Sequence, residues 1–255
     1  MSWNPDVYLS FAGERTRPAA DLLARVPPGE RWRITDLGCG PGNSTALLAA
    51  RYPAAELTGL DNSPARLEKA RTEGPPGVTW READAASWSP DRPQDLIFSN
   101  ALFQWVPAHG AIFSRLMETM PLGGVLAVQM PRNFNEPSHR IIREVAQSEK
   151  WASKLAALGL REPVLPPEAY FEILKGHAAS IDIWETVYVQ ALNGEDPVLD
   201  WIKGTALTPY LAALDHRQVE LFLEELAVKL REAYPRSSSG ITLFPFRRVF
   251  IVATR

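Results

Sequence analysis

The feature that most constrains the fold is the segment Asp36-Leu37-Gly38-Cys39-Gly40-Pro41-Gly42-Asn43, in which every second residue from 38 to 42 is glycine. It follows a predicted strand over 33–37 and precedes a predicted helix over 43–51, which opens with Asn and Ser as cap residues. Because glycine has no Cβ atom, the backbone can turn tightly and approach a ligand, and the helix N-terminus adds unpaired amides. The segment therefore predicts a strand, a glycine turn and a helix, with a ligand bound at the turn.

Strand and helix patterns alternate through the first half of the chain. Such alternation implies right-handed crossovers and a mostly parallel sheet with helices on both faces. The predicted fold class is therefore α/β, with a doubly wound, mostly parallel sheet. The predicted strands cover 33–37, 56–60, 78–81, 95–99 and 124–129, and the helices between them cover 43–51, 63–71 and 111–120.

After Met130 the pattern becomes helical, over 136–150 and 167–175, before two long strands over 181–189 and 241–253. Both strands are rich in β-branched and aromatic residues, and a helix over 215–233 lies between them. We expect the two strands to add an antiparallel edge to the sheet. Residues 131–178 are predicted to be a helical lid insertion within a single domain spanning 1–255.

Length and composition exclude several classes of protein. A chain of 255 residues with 45% hydrophobic and 22% charged residues has the balance of one elaborated globular domain. A formal net charge of -3 argues against a nucleic-acid partner, which favours a basic surface. The single cysteine fits a reducing compartment, and no stretch resembles a signal peptide or a membrane helix. We therefore expect a cytoplasmic protein without membrane contact, as a monomer or weak homo-oligomer.

The spacing of the glycines bears on the kind of ligand. Nicotinamide-binding proteins have G-x-G-x-x-G, whereas this segment has G-x-G-x-G with Asp36 two residues before the first glycine. Polar residues follow further strands: Asp61 after the second, Asp84 and Ala85 after the third, and Asn100 after the fourth. Open α/β sheets bind ligands at this carboxyl edge, and carboxylates there suit an ammonium and a ribose diol better than a pyrophosphate. A nicotinamide-dependent oxidoreductase remains the alternative from another class.

With these residues the chain resembles class I S-adenosylmethionine-dependent methyltransferases over about residues 31–129. The segment DLGCGPGNST resembles the first motif of that family, and GLDNSP resembles the second. The resemblance implies a Rossmann-like sheet of seven strands with a reversed final strand, and S-adenosyl-L-methionine as cofactor. The cofactor-binding residues it implies are Asp36, Gly38, Gly40, Gly42, Asn43, Asp61, Asn62, Ser63, Asp84, Ala85 and Asn100.

A narrower resemblance covers almost the whole chain. Segments such as SNALFQWVPAH, GGVLAVQMPRNFNEPSH and RRVFIVATR are similar to the bacterial methyltransferases that esterify a carboxylate of trans-aconitate. The resemblance implies a small-molecule carboxylate substrate and an N-terminal helical segment, residues 1–30, that closes over the cofactor site. The segment after Met130 would form the lid over the acceptor. Candidates for lining the site from the N-terminal segment are Trp3, Tyr8, Phe11, Arg15 and Arg17.

A carboxylate acceptor sets its own chemical requirements. Carboxyl groups are ionised at neutral pH, so methyl transfer to them needs no general base, and catalysis rests on proximity and orientation. Arginine suits the carboxylates that do not react, because its planar fork donates two hydrogen bonds to one carboxylate. The candidate substrate-binding residues are Tyr8, Arg15, Arg17, Gln104, Trp105, Arg132, Asn133 and Arg248, with Phe103, Trp105 and Phe134 as apolar walls.

The histidines bear on two alternatives. A phenol or quinone-carbon acceptor would need a base, for which His109 and His139 are the candidates. The four histidines lack metal-ligand spacing, and a lone cysteine builds no thiolate site, so no metal is expected. Cys39 is not expected to act as a nucleophile, since no base is evident beside it.

Overall fold

The computed structural model describes residues 16–159 and 164–255. Seven strands and ten α-helices lie within the described residues. The strands are Arg33–Leu37 (β1), Glu56–Asp61 (β2), Thr79–Glu82 (β3), Leu96–Asn100 (β4), Val125–Pro131 (β5), Ser180–Leu192 (β6) and Thr242–Thr254 (β7). The helices are Arg17–Arg25 (α1), Asn43–Arg51 (α2), Pro64–Glu73 (α3), His109–Thr119 (α4), Pro137–Ala146 (α5), Ala152–Leu155 (α6), Pro167–Leu174 (α7), Pro197–Lys203 (α8), Thr208–Ala212 (α9) and His216–Ala233 (α10).

The strands form one seven-stranded sheet in the order β3-β2-β1-β4-β5-β7-β6. β1 pairs in parallel with both β2 and β4, and β2–β3 and β4–β5 are parallel as well. The predicted doubly wound, mostly parallel sheet is therefore confirmed. Because the strand order reverses between β1 and β4, the carboxyl ends of these two strands border the crevice where such sheets bind ligands.

The central strands are apolar because helices cover both of their faces. β4 begins Leu96-Ile97-Phe98, and all three side chains are fully buried. β5 is buried along its length except at its last residue, Pro131. Strands buried on both faces read as continuous apolar runs, which is why both were predictable from sequence.

Trp80 in β3 packs against three glycines and thereby braces the glycine turn. A Cβ atom at Gly59 would lie 2.4 Å from the Trp80 ring, one at Gly74 2.7 Å from it, and one at Gly42 3.1 Å from it. Gly42 is the last glycine of the turn, and Gly59 lies in β2. The indole therefore fills the space that three missing side chains leave.

The chain divides into two compact units, and each has its own core. Among the described residues, the first unit contains 16–131, 165–186 and 249–255, and the second contains 132–159, 164 and 187–248. In the second unit α5 and α10 pack together, with Phe222 and Trp151 meeting edge to face at 5.4 Å. The Tyr234 hydroxyl accepts a hydrogen bond from the amide of Ser138 at the start of α5. That residues 1–30 and 131–178 close over a site stays a prediction.

Two details differ from the sequence-based expectation. The helix predicted over 136–150 ends at Ala146, and a turn then places Trp151 so that its indole N–H donates to Glu225 at 2.8 Å. The short helices α8 and α9 were not predicted, because segments of seven and five residues carry little periodicity. Within the described residues, no helix has both the length and the apolar character to cross a membrane.

The contact of Trp80 with Gly59 predicts the effect of a small substitution. Gly59→Ala should lower the free energy of unfolding by ~1–3 kcal/mol, because the added methyl group overpacks against the indole. Gly176→Ala is the matched control, since no described atom lies within 4 Å of the added carbon. Denaturant unfolding monitored by circular dichroism measures both variants. Equal stability of the two variants would contradict the bracing role of Trp80.

Candidate cofactor and acceptor site

The glycine turn between β1 and α2 depends on left-handed backbone conformations. Gly38, Gly40 and Gly42 have φ values of 78°, 55° and 95°, a region that residues with a Cβ atom rarely adopt. A Cβ atom at Gly38 would also meet the Leu102 side chain at 2.8 Å, whereas no described atom lies within 4 Å of one at Gly40. The backbone at Gly40 therefore faces open space, as a ligand-binding turn requires.

The end of β2 holds this turn in place. The carbonyl oxygen of Leu60 accepts hydrogen bonds from the amides of Gly38 and Cys39, at 2.7 and 2.9 Å. The next residue, Asp61, is buried, and its carboxylate accepts from the amide of Gly40 at 2.9 Å and from the amide of Ser63 at 2.9 Å. One carboxylate thus joins the glycine turn to the start of α3.

Asp36, two residues before the first glycine of the turn, is fully buried. Its Oδ2 atom accepts hydrogen bonds from the hydroxyls of Ser44 at 2.7 Å and Thr45 at 2.6 Å. Burial raises the pKa of this carboxyl from 3.8 to about 6, against the opposing effect of the Thr45 and Ser44 hydrogen bonds. Asp61 adds a smaller rise through charge repulsion. The second oxygen, Oδ1, is buried and has no hydrogen-bond donor among the described residues.

Beside β1, the end of β4 contributes two further acceptor oxygens. Ala101 has a left-handed φ of 58°, and the Gln104 side-chain amide donates to its carbonyl oxygen at 2.7 Å. Asn100 Oδ1 and Gln104 Oε1 are buried, and neither has a donor within the part of the chain described. A strained, non-glycine backbone next to unsatisfied oxygens is typical of a ligand site.

The remaining predicted cofactor residues lie around this core. Asp84 is exposed, and its Oδ1 atom accepts from the amide of Ala86 at 3.0 Å, while the neighbouring Ala85 is buried. Ser63 caps α3 by accepting from the amide of Arg66 at 3.4 Å. Asn43 and Asn62 are exposed at the first residue of α2 and the residue after β2. Cofactor contacts by these five residues stay predictions.

Cys39 lies within the turn and is buried. Burial raises the pKa of its thiol well above the ordinary range, and the nearby charges of Asp36 and Asp61 raise it further. Because the thiolate is the reactive form, a neutral thiol in this place is a poor nucleophile.

Of the predicted acceptor-binding residues, three belong to the first unit as described. Arg17 is exposed on α1 and lies 3.9 Å from the carboxylate of Asp21. Gln104 and Trp105 form the one-turn 3-10 helix that follows β4, and Trp105 is 42% exposed. Tyr8 and Arg15, like Trp3 and Phe11, lie outside the described residues.

The other three belong to the second unit. Asn133 and Arg248 are buried, and Arg132 is half-buried, with its backbone amide bonded to the carbonyl of Arg247 at 2.9 Å. The Arg248 guanidinium lies over the Phe246 ring at 4.7 Å. Burial lowers its pKa to about 10, so the group stays protonated at neutral pH.

His109 is held in a buried polar network of the first unit. Its Nδ1 atom lies 3.0 Å from the carbonyl oxygen of Val106, and its Nε2 atom lies 2.7 Å from the Tyr170 hydroxyl. Because a carbonyl oxygen only accepts, Nδ1 carries the proton and Nε2 accepts from Tyr170. The Tyr170 oxygen in turn accepts from the amide of Leu165 at 3.1 Å. Both ring nitrogens are therefore engaged within the fold.

Ser44 and Thr45 belong to this site, although no sequence pattern predicted it. They follow the glycine turn at the start of α2, eight and nine residues after Asp36. The pattern of a buried acid, a glycine turn and two hydroxyl residues was visible, but which way the hydroxyls face depends on the rotation of the helix. Across residues 16–159 and 164–255, no three His, Cys, Asp or Glu side chains gather as a metal site requires.

Comparison with known proteins assigns the chain to a family. Residues 34–124 match a family described as a methyltransferase domain. The chain is 49% identical to a trans-aconitate 2-methyltransferase of Streptomyces coelicolor, over 100% of this chain and 87% of that one. It is 50% identical to a protein of the same name from Streptomyces avermitilis, over 99% of this chain and 96% of that one.

A solved structure agrees in fold. The Haemonchus contortus phosphoethanolamine N-methyltransferase 2 in complex with S-adenosyl-L-methionine superimposes with a TM-score of 0.56 at 17% identity. The match covers 98% of this chain and 56% of that one, so the likeness concerns about half of the larger protein. Sequence identity near one half, over at least 99% of this chain and 87% of each bacterial relative, shows a common family. The chain belongs to the trans-aconitate 2-methyltransferase family.

Proposed function

We propose that this protein is an S-adenosyl-L-methionine-dependent O-methyltransferase that esterifies a carboxylate of trans-aconitate. The observation that carries the substrate is the 49% identity to a trans-aconitate 2-methyltransferase over the whole chain. Fold likeness alone would not choose an acceptor, because one fold hosts many reactions. The site geometry supports the cofactor independently.

The polar atoms at the carboxyl edge fit a ligand that donates hydrogen bonds. Asp36 Oδ1, Asn100 Oδ1 and Gln104 Oε1 are buried oxygens without a donor in the described part of the chain. All three accept, and Asp36 and Asp61 bring negative charge. S-adenosylmethionine presents an ammonium, ribose hydroxyls and an adenine amino group, whereas a pyrophosphate would be repelled here. The open space at Gly40 leaves room for it beside the turn.

The proposed cofactor contacts follow from these positions. Asp36 would hold the ammonium directly or through water, and Asp61 would accept from the ribose hydroxyls. Asp84 and Ala85 would face the adenine edge. When bound, the cofactor supplies a methyl group attached to a positively charged sulfur. The other proposed contacts are Gly38, Gly40, Gly42, Asn43, Asn62, Ser63 and Asn100.

The chain supplies orientation rather than proton transfer. The acceptor carboxylate is already ionised at neutral pH, so no residue has to remove a proton from it. His109 fits this mechanism, because both of its ring nitrogens take part in structural hydrogen bonds. A phenol or quinone-carbon acceptor, which needs a base, is not favoured. Correct alignment of reacting groups is worth up to ~7–11 kcal/mol of the activation barrier.

The carboxylates that do not react need cationic or amide partners. Arg248 is the strongest candidate, since a buried guanidinium gains more from a carboxylate than an exposed one does. Arg132 and Asn133 belong to the same unit, and Arg17, Gln104 and Trp105 are the described candidates of the first unit. Tyr8 and Arg15 remain candidates from the resemblance alone.

The setting of the reaction is also a proposal. We infer that the enzyme works in the cytoplasm on a small molecule rather than on nucleic acid, as a monomer or weak homo-oligomer. The formal net charge of -3 and the single cysteine support this setting.

The substrate is tested by incubating the purified protein with S-adenosylmethionine and a panel of di- and tricarboxylates. We expect a monomethyl ester of trans-aconitate as the dominant product in mass spectrometry. Citrate and cis-aconitate are the matched controls, because they carry the same number of carboxylates in other geometries. Absence of a trans-aconitate ester, with turnover of another acceptor, would contradict the substrate assignment.

The cofactor position is tested by substitutions of two glycines that both have left-handed backbone conformations. Gly40→Ala should weaken binding of S-adenosylhomocysteine by about tenfold or more, the equivalent of ~1.4 kcal/mol, because its methyl group enters the space at the turn. Gly77→Ala is the control: its φ of 78° is also left-handed and no described atom is within 4 Å, but it lies outside the turn. Isothermal titration calorimetry measures both. Equal affinities in the two variants would place the cofactor elsewhere.

A further inference from the structure

The first turn of α2 carries two hydroxyls that both point at one carboxylate oxygen. Ser44 Oγ lies 2.7 Å and Thr45 Oγ1 2.6 Å from Asp36 Oδ2, and all three residues are buried. Serine and threonine near a helix start usually bond to the backbone of their own helix. Here they instead reach across to β1, so these contacts are tertiary.

The convergence of two donors on a single oxygen fixes the orientation of the Asp36 carboxylate. Two bonds to Oδ2 oppose rotation about the side-chain torsion and leave Oδ1 without a donor among the described residues. Burying an acceptor without a partner is unfavourable, and a bound donor relieves that cost. The arrangement is therefore that of a prepared acceptor.

We infer that Ser44 and Thr45 are positioning residues, which keep the Asp36 carboxylate ionised and turned so that Oδ1 receives the α-ammonium of the cofactor, directly or through one water. This inference rests on the proposed function. It assigns a role to two residues that act through Asp36 and do not themselves contact the cofactor.

The charges around Asp36 explain why such support is needed. The titratable group whose charge acts on it is Asp61 at the end of β2. Cys39 in the turn, whose own pKa is raised by Asp36, supplies no positive charge either. Arg66 on α3 lies 3.9 Å from Asp61. No ion pair to Asp36 is present in the described ranges. Two hydroxyl donors are then what offsets the burial of the anion, so removing one should raise the pKa of Asp36 above its value of about 6.

Loss of a hydroxyl should make cofactor binding more sensitive to acid. A carboxyl with a higher pKa is protonated over a wider range of acidic pH, and a protonated Asp36 does not attract an ammonium. Loss of a hydroxyl should therefore weaken cofactor binding at about pH 6 and leave it nearly unchanged at about pH 8.5. The α-amino group of the ligand itself titrates at about pH 8, so each variant is compared with the natural protein at the same pH.

The experiment measures the dissociation constant of S-adenosylhomocysteine by calorimetry for Thr45→Val, Thr45→Ser, Ser44→Ala and Asp36→Asn. Thr45→Val keeps the side-chain shape and loses the hydroxyl, and Thr45→Ser restores it. For a rise of about one pKa unit we expect Thr45→Val to bind about fivefold more weakly at about pH 6, and within about twofold at about pH 8.5. Ser44→Ala should show the same pH-dependent loss of affinity as Thr45→Val, and Thr45→Ser should bind with the affinity of the natural protein.

A second readout needs no cofactor. Carbon-13 NMR of the Asp36 carboxyl in the free protein should show a higher pKa in Thr45→Val and Ser44→Ala than in Thr45→Ser. Asp36→Asn alone should weaken binding of S-adenosylhomocysteine. In the Asp36→Asn background, Thr45→Val should no longer change the pH dependence of binding.

The outcomes separate the inference from the proposed function. Affinity losses that are equal at all pH values, or an unshifted Asp36 pKa in both hydroxyl variants, overturn the positioning role while the function stands. Full affinity in Asp36→Asn overturns it as well. If the natural protein binds no S-adenosylhomocysteine at any pH, the proposed function fails and the inference fails with it.

Discussion

The attachment of the glycine turn to the end of β2 is the contact on which the site depends. Leu60 accepts from the amides of Gly38 and Cys39, and the Asp61 carboxylate accepts from the amide of Gly40. These bonds fix a turn that contains three left-handed glycines, and the Trp80 indole packs against Gly42 and Gly59. Without them the backbone of the turn would have no fixed relation to the carboxylates around it.

The electrostatics of this edge of the sheet account for the kind of ligand. Asp36 and Asp61 lie close enough for each to act on Cys39, and Asp61 also raises the pKa of Asp36. Two acids near each other are an unfavourable arrangement in the free protein, and burial adds to the cost. A cationic ligand relieves it, whereas a dinucleotide phosphate would increase it. Stored electrostatic strain of this kind is common where a ligand of opposite charge binds.

Local sequence patterns predicted the secondary structure well, because hydrophobic periodicity and capping residues act within a few positions of the chain. The bounds of β1 and α2 were predicted to the residue, and the Asp215 capping box marks the start of α10 near where periodicity placed it. Aromatic residues of the later strands and helices pack inside the fold: Trp184 stacks on Phe250 at 4.7 Å, and Tyr210 lies 6.2 Å from Phe222.

What sequence did not predict depends on tertiary geometry. The turn of Ser44 and Thr45 toward Asp36 requires the rotation of α2 against β1, which no periodicity specifies. The burial of Arg248 was not predictable from sequence either, because arginine residues are mostly exposed. Local sequence patterns do not predict the acceptor at all. Its assignment rests on sequence identity to the relatives across the whole chain.

The most direct test of the account is a calorimetric titration of the protein with S-adenosylhomocysteine and, separately, with NADH. The acidic edge formed by Asp36 and Asp61 predicts saturable binding of S-adenosylhomocysteine at one site and no measurable heat from NADH. Saturable binding of NADH without binding of S-adenosylhomocysteine would contradict the central claim that this glycine turn serves a nucleoside with an ammonium group rather than a dinucleotide.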